Sequence, residues 1–267
     1  MNRDTFLDLL YTKQESLYRD MPWRRDTSAY YVMVSELMLQ QTQVSRVVPK
    51  FSQFIADFPT IAALAAAPLS QVLTIWSGLG YNRRAKFLHQ AAQQIVDRHG
   101  GVIPHEREEL LKLSGIGVNT AGAIMAYAHN TPVLFVETNI RTVLFHHFFE
   151  HQVDVTDRML LQQLEQVLDT ENPRVFYWAM MDYGTWLKKN GIRNNSVSRH
   201  YRKQSPLAGS VREVRGQIIR TLTQQSETIA ALQALYDSGD GRFEQAYTQL
   251  EAEGMIQSTG NTVSLTN

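Results

Sequence analysis

Two carboxylates stand out because their surroundings differ. Glu36 is the lone acid in the largely apolar run 34–44. Partial desolvation raises the pKa of such a carboxyl and suits it to protonating a leaving group, although a surface position is the alternative. Glu137 follows Phe135 and Val136, where an apolar, strand-like approach meets a new helix. Two carboxylates in different electrostatic settings can cleave a glycosidic bond through an oxocarbenium-like transition state.

A pair of glycines gives the second chemical signal. Gly115 and Gly117 lie in Leu-Ser-Gly-Ile-Gly-Val-Asn-Thr-Ala-Gly-Ala, residues 113–123. One helix is expected to end at Leu113, the glycines form a tight turn, and a helix of small residues follows. Such a turn lets backbone N–H groups approach a phosphate, and the helix N-terminus adds a favourable dipole. The pattern indicates a helix–hairpin–helix that contacts the DNA backbone, with an ordinary helical hairpin as the alternative.

Short helices must position these residues. Apolar residues recur with a spacing of about 3.6 up to Leu187, and no alternating strand is expected before Val211. Prolines punctuate the apolar runs at helix-length intervals, at positions 22, 49, 59, 68, 104, 132 and 173. The sequence therefore predicts a mainly α protein in which the first 187 residues form a helical bundle.

The last part of the chain predicts a different arrangement. Three helices are expected, followed by two short strands around a turn, at 215–224, 228–236, 243–253, 254–257 and 262–265. Three helices followed by a small hairpin form a winged-helix-like domain. Winged helices bind duplex DNA in some proteins and mediate only protein contacts in others. Six acidic residues against one arginine after Gln225 weigh against DNA contact by its recognition helix.

The charges are balanced overall but not along the chain. Lys plus Arg and Asp plus Glu each number 26, so the net charge implies no polyanionic partner by itself. Residues 188–220, however, carry nine basic residues against the single acid Glu213. The nine are Lys188, Lys189, Arg193, Arg199, Arg202, Lys203, Arg212, Arg215 and Arg220. A solvated linker is the simple interpretation, but such a local excess also forms an electrostatic footprint for phosphates.

The composition excludes several kinds of site. The chain has no cysteine, which excludes disulfides, thiolate zinc sites, thiolate-held iron–sulfur clusters and a cysteine nucleophile. The N-terminus mixes charges with apolar residues, unlike a signal peptide, and the longest apolar stretch, 61–72, is too short to cross a bilayer. A soluble intracellular protein is expected, cytoplasmic and nucleoid-associated if the source is a prokaryote.

Several motifs occur together in one order. They are Met-Pro-Trp-Arg at 21–24, Ser-Glu-Leu-Met-Leu-Gln-Gln-Thr-Gln-Val at 35–44, Trp-Ser-Gly-Leu-Gly-Tyr at 76–81, Arg-Arg-Ala-Lys-Phe-Leu-His at 83–89, Gly-Gly-Val-Ile-Pro at 100–104 and Met-Met-Asp-Tyr-Gly at 180–184. With the glycine turn at 115–117, they resemble the MutY-type adenine DNA glycosylases of the helix–hairpin–helix superfamily. The resemblance runs from about residue 5 to about residue 190.

The resemblance implies roles for individual residues. Glu36 matches the general acid that protonates adenine and handles the water, and Glu137 lies where the family has the aspartate that stabilises the sugar cation. Gln41 and Tyr81 match the residues that wedge into the base stack beside the estranged base. A helix cap for Gln41 and a packed aromatic for Tyr81 are the alternatives. Asn119 and Asn139 complete the expected catalytic set.

Further residues are expected to contact DNA or a cation. The expected DNA contacts outside the wedge are Arg24, Gly115, Gly117, Val118, Thr120, Lys188, Arg193 and Arg199. The backbone carbonyls of Leu111, Leu113 and Ile116 match a site for a monovalent cation, Na⁺ or K⁺, that helps to hold a DNA phosphate.

Four departures from the family pattern matter. The catalytic aspartate is Glu137, whose arm is one methylene longer, and misplacement on that scale can cost about a hundredfold in rate. The lysine of lyase-type members is Asn119, so a monofunctional enzyme without strand cleavage is expected. The cluster cysteines fall at Lys188, Asn195, Ser198 and Gln204. The C-terminal Nudix-like module that reads 8-oxoguanine is replaced by the winged-helix-like tail, which puts the preference for that partner base in doubt.

These observations combine into one functional prediction. Residues 1–187 form the glycosylase domain with its helix–hairpin–helix at about 108–128, 188–210 form a basic linker, and 211–267 form the winged-helix-like domain. Lys188, Arg193, Arg199 and Arg202 are expected to replace the phosphate contacts of the missing cluster loop. The predicted activity is excision of adenine opposite 8-oxoguanine or guanine in duplex DNA, without a cofactor. The alternatives are a glycosylase for another mispaired or deaminated base, and a catalytically silent DNA-lesion binding protein whose winged helix recruits an unknown partner.

Overall fold

A computed structural model of the chain is mainly helical, as the sequence predicts. It describes residues 1–150, 152–192, 194, 197–199 and 205–267. The helices within these ranges are α1 (Arg3–Leu17), α2 (Pro22–Arg25), α3 (Ala29–Leu39), α4 (Val44–Asp57), α5 (Ile61–Ala66), α6 (Leu69–Trp76), α7 (Arg83–His99), α8 (Arg107–Leu111), α9 (Val118–His129), α10 (Thr138–Phe148), α11 (Asp157–Val167), α12 (Pro173–Lys189), α13 (Val211–Leu222), α14 (Ile229–Tyr236) and α15 (Arg242–Ala252).

The chain divides into two compact units, each built from separate stretches of sequence. The first contains Met1–Met33, His105–Lys112 and Ile116–Lys203. The second contains Val34–Pro104, Leu113–Gly115 and Gln204–Asn267. The boundaries at 187 and 210 expected from the sequence stay a prediction.

Side-chain caps explain where several helices begin. The hydroxyls of Thr60, Thr156 and Thr228 accept hydrogen bonds from backbone N–H groups in the first turns of α5, α11 and α14. Each cap satisfies a donor that the helix leaves unpaired, and replacing one by alanine typically costs about 1 kcal/mol. Pro49 does not separate two helices as expected but lies inside α4 on an exposed position, where the lost hydrogen bond faces solvent. No helix among the described residues is long and apolar enough to cross a membrane.

The core of the first unit forms where α1 and α10 pack on α12. Phe6 of α1 is fully buried, and its ring meets that of Phe148 edge-on with centroids 5.2 Å apart. Helices α10 and α12 approach each other closely at Gly184, where an added Cβ would lie 2.8 Å from the carbonyl carbon of Asn139. Only glycine allows this approach, so α12 fixes the start of α10 through the backbone.

The core of the second unit contains aromatic residues of α4 and α6. Phe54 lies 4.9 Å from Phe58 and 6.1 Å from Trp76, measured between ring centroids, and all three are buried. Helix α7 packs on α5, and Nε2 of His89 lies 2.9 Å from the carbonyl oxygen of Ala67. These contacts hold α7, whose first residue, Arg83, closely follows the predicted wedge residue Tyr81.

Three helices and a small sheet form the end of the second unit. Strand β1 (Glu227–Thr228) and strand β2 (Ile256–Thr259) both pair antiparallel with β3 (Thr262–Leu265), which gives the order β1-β3-β2. Ile218 of α13, Leu250 of α15 and Val263 of β3 form part of the buried core. The winged-helix-like arrangement is confirmed, with β2 starting two residues later than predicted and with an additional short strand, β1.

Candidate active site

Glu137 is the N-cap of α10, at the position where the sequence predicts a helix to begin. Its Oε1 accepts hydrogen bonds from the backbone N–H groups of Asn139 at 2.6 Å and Ile140 at 3.0 Å. Its Oε2 accepts a third from the Asn139 side-chain amide at 3.3 Å. Residues 131–137 approach without regular structure and belong to no sheet. The extra methylene of glutamate therefore lets the carboxylate fold back over the first turn of its own helix.

Opposing effects act on the charge of Glu137. Burial has the largest effect and raises the pKa of Glu137 above its usual value. The N–H donors of Ile140 and Asn139 and the positive charge of Lys188 lower the pKa in part. Burial lowers the pKa of Lys188, and the charge of Glu137 partly restores it. Lys188, expected from the sequence to contact DNA phosphate, thus interacts electrostatically with the predicted catalytic carboxylate.

Asn139 is held by α12 on its other side. Its Nδ2 lies 3.7 Å from Sδ of Met181, and its Oδ1 accepts a hydrogen bond from the Thr185 hydroxyl at 3.4 Å. Gly184 packs against its backbone. Asn139 therefore links the carboxylate of Glu137 to a rigid helix, which is how an active site keeps a reactive group oriented.

Glu36 lies on α3 within a run of buried residues. Glu36 itself is half-buried, whereas Val34, Ser35, Leu37 and Met38 are buried. Desolvation of this kind disfavours the ionised form of a carboxyl group. The position suits a residue that must carry a proton to a leaving group.

The two predicted wedge residues share an unusual backbone conformation. Gln41 has φ of 54° and Tyr81 has φ of 50°, both in the left-handed region, and both residues are exposed. A bulky residue other than glycine costs about 1–3 kcal/mol in such a conformation, and the cost persists only where the surroundings enforce it. Strain of this kind is typical of functional sites, because it presents a side chain in a direction that relaxed backbone would not.

Arg84 holds the two loops that carry Gln41 and Tyr81. Its Nη1 donates to the carbonyl oxygens of Leu37, Met38 and Gln40 at 2.7, 2.8 and 2.6 Å. Its Nη2 donates to Gly80 O at 2.9 Å and to Thr42 Oγ1 at 3.0 Å. The guanidinium carbon lies 5.3 Å from the Trp76 ring centroid and 5.5 Å from that of Tyr81. Burial lowers the pKa of Arg84 to about 10, so the group stays charged at neutral pH.

Sequence reasoning placed Arg84 in a motif but gave it no role. The signal was present, because Arg84 is a charged residue on the face of α7 that also carries the buried Ala85 and Leu88. A buried cation on an apolar face requires several acceptors. Four of its acceptors lie 42 to 47 residues earlier in the chain and could not be named from spacing alone.

The glycine turn of the hairpin differs in detail from the prediction. Helix α8 ends at Leu111, two residues before Leu113, and α9 begins at Val118. Gly115 has φ of +76°, and an added Cβ would lie 2.7 Å from Phe87 Cβ, so glycine is required there. Gly117 has φ of −92° and serves as the N-cap of α9, a conformation open to other residues.

The residues in the first turn of α9 differ in their exposure to solvent. Val118 and Asn119 are exposed beside the N-cap, where free N–H groups and the helix dipole favour an anion. Thr120 is 8% exposed. The backbone of this turn remains available for the predicted phosphate contact, whereas the Thr120 side chain faces the interior.

Arg24 requires a correction. Its Nη1 and Nη2 donate to the two carboxylate oxygens of Asp182 at 2.7 and 3.0 Å, and Arg19 Nε donates to Oδ1 at 2.5 Å. The side chain of Arg24 is 2% exposed. A buried bidentate pair leaves no guanidinium face for a DNA phosphate, so the expected DNA contact of Arg24 is replaced by a structural role.

Only part of the basic segment falls within the described residues. Arg199 is exposed, and its backbone N–H donates to Val155 O, beside the isolated bridge between Val155 and Ser198. Arg193 and Arg202, as well as the former cluster positions 195 and 204, lie outside the described residues. No group of three metal-binding side chains occurs among the residues that the structure describes.

The hairpin carbonyls suit a hard monovalent cation chemically. The oxygens of Leu111, Leu113 and Ile116 accept no backbone hydrogen bond from described residues outside the helices. Carbonyl oxygens are hard donors of the kind that alkali cations prefer. The Na⁺ or K⁺ site at these carbonyls stays a prediction.

The predicted site residues divide between the two units. Glu137, Asn139, Asn119 and Lys188 belong to the first unit, in which Glu137, Asn139 and Lys188 interact. The second unit contains Glu36, Gln41, Tyr81 and Arg84. Arg84 donates hydrogen bonds to the end of α3 and to the two wedge loops, which are the loops that carry Gln41 and Tyr81. Each unit thus presents one predicted catalytic carboxylate with its own supporting contacts.

Comparison with known proteins places this chain among DNA repair enzymes. The family described as HhH-GPD superfamily base excision DNA repair protein matches residues 34–169. An adenine DNA glycosylase of Mycolicibacterium smegmatis is 33% identical over 267 aligned residues, covering 91% of this chain and 89% of that protein. An adenine DNA glycosylase of Buchnera aphidicola subsp. Baizongia pistaciae is 34% identical and covers 62% of this chain. The chain spans about half the length of the Buchnera protein, 48%.

A solved structure supports the fold. A thermostable thymine-DNA glycosylase superposes with a TM-score of 0.62 and 21% identity, covering 74% of this chain and 96% of that chain. At this identity the likeness concerns the fold alone. The matched family, the relatives and the helical fold agree with the motifs at 35–44, 76–81 and 113–123. The resemblance expected from the sequence is confirmed: the chain belongs to the HhH-GPD superfamily of base excision DNA repair proteins, in its adenine DNA glycosylase family.

Proposed function

We propose that this protein removes adenine opposite 8-oxoguanine or guanine from duplex DNA, as a glycosylase of base excision repair. The observation that carries the proposal is the pair of strained, exposed residues Gln41 and Tyr81, both held by Arg84. A base can react only after it leaves the stack, and a wedge offsets the cost of unstacking, a few kcal/mol. The adenine DNA glycosylases among the relatives support adenine as the base.

The two carboxylates take complementary parts in the proposed reaction. Glu36, in its protonated form, donates its proton to N7 of adenine, and the bond between N9 and C1′ of the sugar breaks with its electron pair passing to the base. Glu137, as the anion, faces the positive charge that develops on the sugar. Water then adds to C1′, and its proton returns to Glu36. Glu36 is half-buried, and the three N–H donors and the charge of Lys188 partly offset the burial that raises the pKa of Glu137.

The hairpin supports binding rather than chemistry. Backbone N–H groups at the start of α9 approach a DNA phosphate, and the carbonyls of Leu111, Leu113 and Ile116 would hold a Na⁺ or K⁺ ion. Such an ion would contribute positive charge beside the phosphate. Exposed Asn119 has no amine and forms no Schiff base, so the reaction stops at the abasic site.

Single-turnover excision on labelled duplexes tests the proposal directly. Adenine is placed opposite 8-oxoguanine or guanine, and each reaction is analysed with and without alkaline cleavage of the abasic product. Product that appears only after alkali is expected. Glu36→Gln should bind the same duplexes but release no base, and normal activity of that variant would refute the assigned role.

The two alternatives predict different results in the same assay. Tight binding to an abasic duplex without release of adenine would favour a lesion-binding protein. Release of another mispaired base instead of adenine would favour a related glycosylase. Equal rates opposite 8-oxoguanine and guanine would show that the C-terminal region does not discriminate these partner bases.

A further inference from the structure

The C-terminal helices reach the wedge tyrosine within the second unit. Nη1 of Arg212, in the first turn of α13, donates a hydrogen bond to the hydroxyl of Tyr81 at 3.1 Å. The Arg212 guanidinium carbon lies 6.0 Å from the Tyr81 ring centroid, and that of Arg84 lies 5.5 Å from the same centroid. Tyr81 is therefore close to two cations, Arg84 from the start of α7 and Arg212 from α13, and each is attracted to the electron-rich face of the ring.

Arg212 is itself held in place. Its Nη2 donates to Ser205 O at 2.7 Å, to Pro206 O at 3.2 Å and to Ser205 Oγ at 3.3 Å. Its Nε makes no hydrogen bond to any residue that the structure describes. The side chain thus has a fixed orientation before any ligand arrives, which lowers the entropy lost on binding.

Glu253 joins α15 to the helix that follows the wedge loop. Nζ of Lys86 donates to the Glu253 carbonyl oxygen, and the Glu253 carboxylate lies 3.7 Å from Arg83 Nε. The same carboxylate accepts a hydrogen bond from Arg215 of α13 at 2.5 Å. At a second point, the Ser70 hydroxyl donates to the Asn267 side chain at 3.0 Å. The start of α7, and with it Tyr81, is therefore supported by the C-terminal region.

We infer that Arg212 is a positioning residue for Tyr81, through which the C-terminal region takes part in opening the base stack and in reading the estranged base. This inference rests on the proposed function and deepens it. Because Arg212 donates to the phenol oxygen, a residue of α13 sets the direction of the Tyr81 hydroxyl. Each base pair presents its own hydrogen-bonding groups in the minor groove, so a wedge whose hydroxyl has a fixed direction can discriminate between partner bases.

A double-mutant cycle tests the inference. Arg212→Met removes the charge and the hydrogen bond but keeps an apolar stem, and Tyr81→Phe removes only the hydroxyl. The control is Arg220→Met, which removes the same charge from an exposed position on the same helix. Single-turnover excision of adenine opposite 8-oxoguanine and guanine is measured for every variant, and thermal unfolding confirms that each one folds.

The two residues should act as one unit. Arg212→Met and Tyr81→Phe are each expected to lower the excision rate about five- to tenfold, and the double variant no further, because residues in contact are coupled. Both should also shift the ratio of the rates on the two duplexes, whereas Arg220→Met should leave the ratio unchanged. Multiplied losses in the double variant, or identical behaviour of Arg212→Met and Arg220→Met, would overturn the inference.

A second readout does not depend on catalysis. The fluorescence of 2-aminopurine, placed in the strand opposite an abasic-site analogue, reports local unstacking when the protein binds. Arg212→Met and Tyr81→Phe should reduce the fluorescence change at saturating protein, and Arg220→Met should not. If the wild type excised no base but these changes appeared, the proposed chemistry would fail while the inference held. An unaltered fluorescence change in Arg212→Met would reject the inference even in an active enzyme.

Discussion

Asn139 donates to Glu137 twice, from its backbone N–H at 2.6 Å and from its side-chain amide at 3.3 Å. A residue on the first turn of α10 thereby fixes the carboxylate that precedes the helix. The arrangement explains how glutamate can occupy a position where the family has aspartate. The N-cap hydrogen bonds fold the longer arm back over the start of α10.

Glu137→Gln should separate the cap from the charge. The amide oxygen still accepts N–H hydrogen bonds, so the melting temperature should change little. The single-turnover rate should fall at least a hundredfold, because a neutral group does not stabilise the sugar cation. A rate within threefold of wild type would remove Glu137 from the mechanism.

Lys188 predicts a shift in the pH profile. Its positive charge lowers the pKa of Glu137, so Lys188→Met should raise that pKa further above its usual value. Since Glu137 must be ionised, excision is lost as the pH falls through its pKa, and this loss should occur at higher pH in the variant. Lys188→Arg keeps the charge and should lose excision at the same pH as the wild type. Lys189→Met removes a charge from the exposed neighbouring position and is the control. If Lys188→Met lost excision at the same pH as the wild type or at a lower pH, the interaction between Lys188 and the catalytic charge of Glu137 would be contradicted.

Arg84→Lys should loosen both wedge loops at once. Lysine lacks the planar fork that lets Arg84 donate to Gln40 O and Gly80 O together. Excision should fall tenfold or more, and the melting temperature should drop. Arg83→Lys, an exposed neighbour, is the matched control. Wild-type kinetics in Arg84→Lys would show that one loop holds its conformation without this clamp.

Asp182→Asn should destabilise the first unit. The change leaves Arg24 buried without a full countercharge, and breaking a buried pair in this way costs about 3–5 kcal/mol. Urea unfolding followed by circular dichroism measures the destabilisation. Asp20→Asn, which breaks the exposed pair with Arg25, should leave the midpoint nearly unchanged. Similar midpoints for the two variants would show that burial does not matter here.

The basic segment predicts a salt dependence. Replacing Arg193, Arg199 and Arg202 by glutamine should weaken binding to a mispaired duplex. The slope of log K against log salt should become shallower by about one unit for each phosphate that no longer has a basic partner. Fluorescence anisotropy between about 50 and 200 mM KCl gives the slope, in the concentration range where such effects are large. An unchanged slope would reject the replacement of cluster-loop contacts by these charges.

Local patterns in the sequence predict local structure well here. The turn at Gly115, the helix that begins after Glu137 and the strand at 262–265 all follow from residue types within a few positions. The motif at 21–24 is different, because it could not show that Arg24 points inward. Its partner, Asp182, lies 158 residues away. The same limit hides the role of Arg84 and the contact between Arg212 and Tyr81, since side-chain burial and distant partners depend on packing.

Where α12 crosses α10 at Gly184, a contact between the two backbones sets the position of Glu137. Asn139 presses against a residue without a side chain, so the location of Glu137 is set by the distance between two backbones. Mutational drift in the surrounding apolar side chains can be absorbed by repacking, but a methyl group at 184 has nowhere to go. Such a change would move the carboxylate while leaving the wedge loops of the second unit intact. Under the proposed function, the result is a protein that still binds its DNA substrate but holds the carboxylate out of position for the reaction.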